Sequence, residues 1–210
     1  MDNPQTRFNQ EIRDLCDGER RITSECVSEL AKLVAEGASP SELAIPVELD
    51  GSGGKTSGLI VAAARGWDKI ISMFLLDEDL DVNVMDVDGE HALFAALKNG
   101  EKASAKLLLA RSNVWRLADS EASCLHIAIR RGLAEEAEAI VELMGEAQCK
   151  EEFDVMREQI SDGNGAIGHA ELEARMLGML LSKAERLALA SATENGAREQ
   201  LGGAHKRRSL

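Results

Sequence analysis

The stretch Ser123-Cys-Leu-His-Ile-Ala-Ile-Arg-Arg-Gly132 decides the fold, because two earlier stretches lie over it column by column. They are Ser57-Gly-Leu-Ile-Val-Ala-Ala-Ala-Arg-Gly66 and His91-Ala-Leu-Phe-Ala-Ala-Leu-Lys-Asn-Gly100. Leu59, Leu93 and Leu125 share one column, Ala62, Ala96 and Ala128 a second, and Gly66, Gly100 and Gly132 a third. The offsets are 34 and then 32 residues in every column. Three columns that move together mark an internal repeat, and repeats have to be found before any other element is assigned.

Each unit has one physical layout. A small or polar residue opens a helix of about two turns, with Leu and Ala three apart on one face. Glycine then ends it, as expected where the backbone turns left-handed at a helix C-terminus. A second apolar helix is expected over Lys69-Ile-Ile-Ser-Met-Phe-Leu-Leu76, Ser104-Ala-Lys-Leu-Leu-Leu-Ala110 and Glu136-Ala-Glu-Ala-Ile-Val-Glu-Leu-Met144. Helices this short are marginal alone, so each pair has to bury its apolar face against its neighbours.

These residues resemble the ankyrin repeat, a unit of about 33 residues with a T-P-L-H-x-A signature. Ser123-Cys-Leu-His-Ile-Ala128 comes nearest, with Ser for Thr and Cys for Pro. The link Leu75-Leu-Asp-Glu-Asp-Leu-Asp-Val-Asn-Val-Met-Asp-Val-Asp-Gly89 resembles the family's LLxxGADVNAxDxxG stretch, with Asp79 in place of the usual Gly. None of the three units keeps the Pro, and only the third keeps the His, as His126. The resemblance implies an all-α solenoid of helical hairpins with short β-hairpin or loop fingers between repeats. It also implies that His126 hydrogen-bonds backbone groups between repeats. His91 stands in the Thr column and is expected to open its helix less effectively.

Outward from the centre the pattern weakens. Leu30-Ala-Lys-Leu-Val-Ala-Glu-Gly-Ala-Ser39 is similar to the end of an earlier unit. Asp162-Gly-Asn-Gly-Ala-Ile-Gly-His-Ala170, followed by Leu172-Glu-Ala-Arg-Met-Leu-Gly-Met-Leu-Leu181, is similar to a later one. Degenerate end units are expected because an outer face meets water. The expected organisation is an N-terminal helical extension at 1–21, a repeat array at 22–185, and a helix end with a basic, disordered tail at 186–210. The extension either packs on the first cap or stays mobile.

Composition fits this architecture. Of 210 residues 44% are apolar, with four Phe, two Trp and no Tyr, so the core has to come from aliphatic side chains in closely packed helices. A net charge of −13 repels phosphate backbones, which argues against nucleic acid as a partner. No run of apolar residues suits a membrane span or a signal peptide. Cys16, Cys26, Cys124 and Cys149 show no CxxC and no zinc spacing, so free thiols in a reducing, cytoplasmic compartment are expected. Residues 186–210 carry a net +3, leaving −16 on the remainder, and a nuclear address is the alternative role for that tail.

Chemical motifs are few. Gly51-Ser-Gly-Gly-Lys-Thr56 resembles a phosphate loop, but GxxxxGK[ST] needs a glycine at the position of Leu49, and Gly51 leaves too short a loop. The run from Asp77 to Asp88 lacks calcium-loop spacing. Cys124 stands in the Pro column at a helix start, where the dipole favours a thiolate, but burial between repeats is the favoured reading. No catalytic arrangement, metal set or cofactor motif emerges, and no enzyme is expected.

Protein–protein recognition is what the resemblance implies, through the fingers and the inward side of each first helix. Carried over by position, the partner-binding residues are Met85, Val87, Asp88 and Glu90, then Lys98 and Asn99, in the second unit. The third unit supplies Asp119, Ser120 and Ala122, then Arg130 and Arg131, and the first supplies Arg65. Trp115 is either a packing residue or an aromatic anchor. Arg65, Lys98, Arg130 and Arg131 would form a cationic ridge that selects a partner segment with acidic groups. A monomeric adaptor or scaffold is the leading expectation. The alternatives are an inhibitory or regulatory subunit of an enzyme or transcription factor, and a nucleotide-binding protein using the Gly51–Thr56 loop.

Overall fold

The computed structural model describes residues 3–18, 21–46, 54–114, 122–163 and 169–206, with side chains described up to 192. They fall into two compact units, Met1–Glu136 and Ala137–Leu210. Among the described residues no helix is long and apolar enough to cross a membrane.

The first unit holds α1 (Pro4–Cys16), α2 (Ser24–Ala35), α3 (Gly58–Ala64), α4 (Asp68–Phe74), α5 (Ala92–Asn99), α6 (Lys102–Leu109) and α7 (Cys124–Arg130). Helices α1, α3, α5 and α7 are successive neighbours in one row, and α2, α4 and α6 in a second. Each helix of the first row up to α5 also packs on the helix that follows it in sequence. The unit is therefore a stack of helical hairpins, and the ankyrin-type solenoid that the resemblance implied is the observed fold. Leu59, Leu93 and Leu125 are fully buried, as are Ala62, Ala96 and Ala128.

The helix ends explain why the columns recur. Side chains of Ser57, His91 and Ser123 accept hydrogen bonds from the N–H groups of Ile60, Phe94 and His126, which the first turn would otherwise leave unpaired. At the other end Gly66, Gly100 and Gly132 take φ of 68°, 78° and 67°. This left-handed step lets Trp67, Glu101 and Leu133 donate to the carbonyls of Ala62, Ala96 and Ala128, each at 2.9 Å. His91 thus occupies the cap position of the serines, but through the longest of the three bonds, 3.4 Å against 3.2 and 3.0 Å, in line with the expected weaker start.

Contacts between hairpins are polar as well as apolar. Arg111 donates to the carbonyls of Leu75, Asp77, Glu78 and Leu80, tying the turn after α6 to the turn after α4. Ser104 donates to Asp68 at 2.6 Å across the second row. Helix α1 belongs to the first row: Phe8 lies against Phe74 at 5.7 Å between ring centroids, and against Gly58. A Cβ at Gly58 would sit 2.6 Å from the Phe8 ring, so the absent side chain lets α1 approach α3.

Strands β1 (Ile45–Pro46) and β2 (Lys55–Thr56) pair antiparallel and form the stem of the first finger. Lys55 and Thr56 are therefore the return strand of a hairpin; Gly51, Ser52 and Gly53 lie outside the described residues. The second finger, after α4, is built from turns. Asp77, Asp81 and Asp86 each accept from the N–H two residues on, at 3.0, 2.9 and 3.1 Å, so these acids shape the loop.

Helix α8 (Ala134–Leu143) bridges the boundary in sequence, and the second unit continues with α9 (Glu146–Ser161) and α10 (Ala170–Lys206). Helices α9 and α10 pack on each other around Met156, Met176 and Leu180. Lys183 of α10 is buried and donates to the carbonyls of Val141, at 2.8 Å, and Glu142, completing the C-terminal end of α8. The segment expected to open a later short-helix unit at Asp162 instead closes α9, and α10 runs on through Leu172–Leu181 and past position 186 to Lys206. Gly178, inside the stretch Leu172–Leu181, does not stop it, because the flanking residues are good helix formers and glycine costs only about 1 kcal/mol there. Asn164 to Gly168, with Ile167 among them, lie outside the described residues, as do Arg207 and Arg208.

Candidate functional site

A groove of about 620 Å³ opens in the first unit, between the two fingers and the inward side of the first-row helices. Its helix wall comes from the C-terminal ends of α1, α3 and α5, with Arg13, Cys16 and Asp17, then Val61, Ala64 and Arg65, then Ala95, Lys98 and Asn99. Its finger wall comes from Ile45, Pro46 and Thr56 of the β-hairpin and from Asp86, Asp88 and Glu90 of the second finger. The small side chains of Ala64 and Ala95 keep the groove open between the larger residues on either side.

The finger edge is set by local chemistry. Asp86 Oδ1 accepts from the N–H groups of Asp88 and Glu90, at 3.1 and 3.0 Å, and Asp86 N–H donates to the Glu90 carbonyl. Gly89 takes φ of 71°, which closes this tight turn. Val87 projects from it and covers Gly54 of the neighbouring finger; a Cβ at Gly54 would lie 2.6 Å from Val87 Cγ2. The two fingers are thus fitted to each other, and together they form one wall.

Charge is distributed unevenly along the walls. Lys98 forms an ion pair with Glu90 at 2.5 Å, which links the end of α5 to its own finger. Arg65 donates to the carbonyl of Cys16 at 3.4 Å, from one first-row helix end to the next. Burial raises the Cys16 thiol, with Arg65 opposing the shift, so the thiol is not set up as a nucleophile. Asp86 and Asp88 have no cation within ion-pair distance among the described residues. Thr56 lines the groove, and its Oγ1 is buried with no hydrogen-bond partner among the described residues.

Five residues expected at a binding surface meet in this groove: Arg65, Asp88, Glu90, Lys98 and Asn99. Met85 and Val87 are exposed on the second finger beside it. Arg130 and Arg131 are exposed at the end of α7, outside the lining, and Ala122 is half-buried just ahead of the Ser123 cap. Trp115, Asp119 and Ser120 lie outside the described residues. The ridge of Arg65, Lys98, Arg130 and Arg131 is therefore not a row of equivalent free cations, since Glu90 neutralises Lys98.

Sequence reasoning missed Arg13, Cys16 and Asp17, because α1 was set apart from the array. The available signal was Gly18, whose φ of 73° matches those of Gly66, Gly100 and Gly132 at the ends of the later first-row helices. It also missed Thr56 as a wall residue, which only the strand pairing reveals.

Away from the groove, His91 is fully buried where two repeats meet. Its Nδ1 accepts from Phe94 N–H at 3.4 Å, and its Nε2 lies 3.8 Å from Cys124 Sγ. Burial lowers its pKa to about 4, against a smaller upward effect of the Asn113 backbone, so the ring is neutral at physiological pH. Both His91 and Cys124 are parts of the repeat junction.

Helical hairpins stacked in rows, with projecting fingers and a groove beneath them, define a repeat-array binding protein. Comparison with known families agrees: the family model described as ankyrin repeats, three copies, matches residues 59–158. The repeats at residues 59–158 are ankyrin repeats, and ankyrin repeats are a protein–protein interaction module. Among curated proteins it is similar to cortactin-binding protein 2 of Ovis aries, 34% identical over 108 residues, which is 50% of this chain and 6% of that protein. Cortactin-binding protein 2 of Mus musculus is 38% identical over 81 residues, 37% of this chain and 5% of that protein. The chain therefore spans only a small part of the length of these relatives.

Proposed function

We propose that the chain is an adaptor or scaffold whose first unit holds an extended segment of another protein in the groove between the fingers and the first-row helices. The observation that carries this reading is the groove itself. Buried columns set its shape, while exposed, non-repeating residues such as Arg65, Asp88 and Asn99 give it a chemical identity. An extended polypeptide fits such a site because its side chains alternate between the two walls. The relatives named above are cortactin-binding proteins, and cortactin is a reasonable first full-length partner to assay, although the likeness covers a small fraction of them.

The reading is tested by panning a random-peptide phage library on the intact chain and measuring the recovered peptides by fluorescence anisotropy. Ala64→Leu narrows the groove without changing charge, and it should weaken those peptides by about tenfold or more while leaving the melting temperature within a few degrees. Recovered peptides that bind Ala64→Leu as well as the parent chain would show that the groove is not the binding site.

A further inference from the structure

We infer that the groove selects a basic partner segment, with a lysine or arginine side chain seated on Asp86 and Asp88 beside Thr56. This rests on the groove being the binding site and goes on to name the chemistry of its occupant. Three observations converge. First, the finger acids are held in place but not neutralised. The turn uses Asp86 Oδ1 for two backbone N–H groups, while Asp86 Oδ2 and the exposed Asp88 carboxylate carry charge into the groove.

Second, the nearest groove cation of α5 is occupied. Lys98 is bound to Glu90 at 2.5 Å, so it is drawn to its own finger and does not answer Asp86 or Asp88. Arg65 contacts the Cys16 carbonyl at another part of the lining. The sequence ridge predicted an acidic partner by counting cations at repeat spacing. The structure leaves the uncompensated charge of the finger wall negative, in a chain whose net charge is −13. Such a field draws basic segments in and repels acidic ones.

Third, the wall contains an unpaired polar group. Thr56 is only 7% exposed and its Oγ1 has no hydrogen-bond partner among the described residues. An unsatisfied buried hydroxyl is costly in the free protein, and a donor carried by the partner would remove that cost. A guanidinium suits the pairing best, because its fixed fork presents several N–H groups to a carboxylate and a hydroxyl together. The polypeptide class follows from the same features: the wall offers carboxylates, which would repel a nucleic acid.

Two sets of variants test this on the intact chain, using synthetic peptides made from the phage-selected sequences. Selection should enrich Arg and Lys over Asp and Glu. Asp86→Asn with Asp88→Asn keeps the turn's acceptors and should weaken those peptides about tenfold or more, with a shallower dependence on salt. Thr56→Val should weaken them several-fold while raising the melting temperature, a combination that a purely structural residue would not give. Selected peptides that are acidic, but still lost on Ala64→Leu, would overturn the basic-segment assignment and leave the groove standing. Basic peptides unaffected by the Asp86/Asp88 pair would also overturn it, and insensitivity to Ala64→Leu would remove the groove as well.

Discussion

The two units are both helical, yet they reach stability differently. In the first, α3 to α7 run for only seven or eight residues, and the first-row helices α3, α5 and α7 each carry a capping side chain, a left-handed glycine and a buried leucine of the shared column. In the second, α9 and α10 run for 16 and 37 residues, with a buried lysine completing α8 and no column that repeats. Short helices cannot stand alone, so the first unit is coupled from hairpin to hairpin. That coupling is also what generates fingers at regular intervals, and fingers at regular intervals make a groove. Long helices carry more of their own stability and leave no such concavity between successive turns.

The largest expected break in this contrast comes from the leucine column. Leu93→Ala should cost the first unit roughly 2–5 kcal/mol, because the fully buried side chain is held between repeats on both sides. Amide hydrogen exchange should rise together across α3, α5 and α7, and should stay unchanged in the paired part of α9 and α10. Exchange confined to α5 would show that the repeats are not coupled.

Acid should separate the units next. His91 is held neutral in the fold, with its pKa lowered to about 4, whereas the unfolded ring takes up a proton near 6.5. Stability is therefore fully present above pH 6.5, falls as the pH drops from 6.5 towards 4, and levels off below that. The total loss from this residue is on the order of 3 kcal/mol. His91→Ser, which installs the cap residue used in the neighbouring repeats, should flatten that part of the stability profile in urea titrations. An unchanged pH dependence in His91→Ser would mean that other groups cause it.

The smallest test uses one substitution at two glycines. Gly66→Ala should destabilise by about 1–2 kcal/mol, because alanine resists positive φ. A Cβ there would also displace Glu101, whose Oε2 would lie at 2.2 Å. Gly178→Ala, in mid-helix with open space around it, should stabilise by about 0.5–1 kcal/mol. Thermal melts of the two variants should therefore move in opposite directions, and movement in the same direction would erase the distinction drawn between the units.

How far these properties were legible in the sequence depended on repetition. The columns of Leu59, Ala62 and Gly66 recur because the same cap, packing contact and left-handed turn recur, so comparing the chain with itself exposed them. Helix α1 was expected as an extension, but its place in the first row escaped because its partner contacts, Phe8 with Gly58 and Phe74, follow no repeated column. The full length of α10 escaped because Leu172–Leu181 was aligned with the short helices of the repeats, and because the residues from Arg186 on, with their glycines and basic end, read as a tail. At the site, residue types and positions were legible, but charge pairing was not. That Lys98 is paired with Glu90, while Asp88 has no ion-pair partner among the described residues, follows from how the second finger folds over α5.

Hydrogen exchange of the intact chain, with and without a saturating phage-selected peptide, tests the central claim most directly. Slowed exchange at β2 and the end of α3, and at the second finger and α5, is the predicted footprint. Slowed exchange confined to α9 and α10, or none in the first unit, would contradict it.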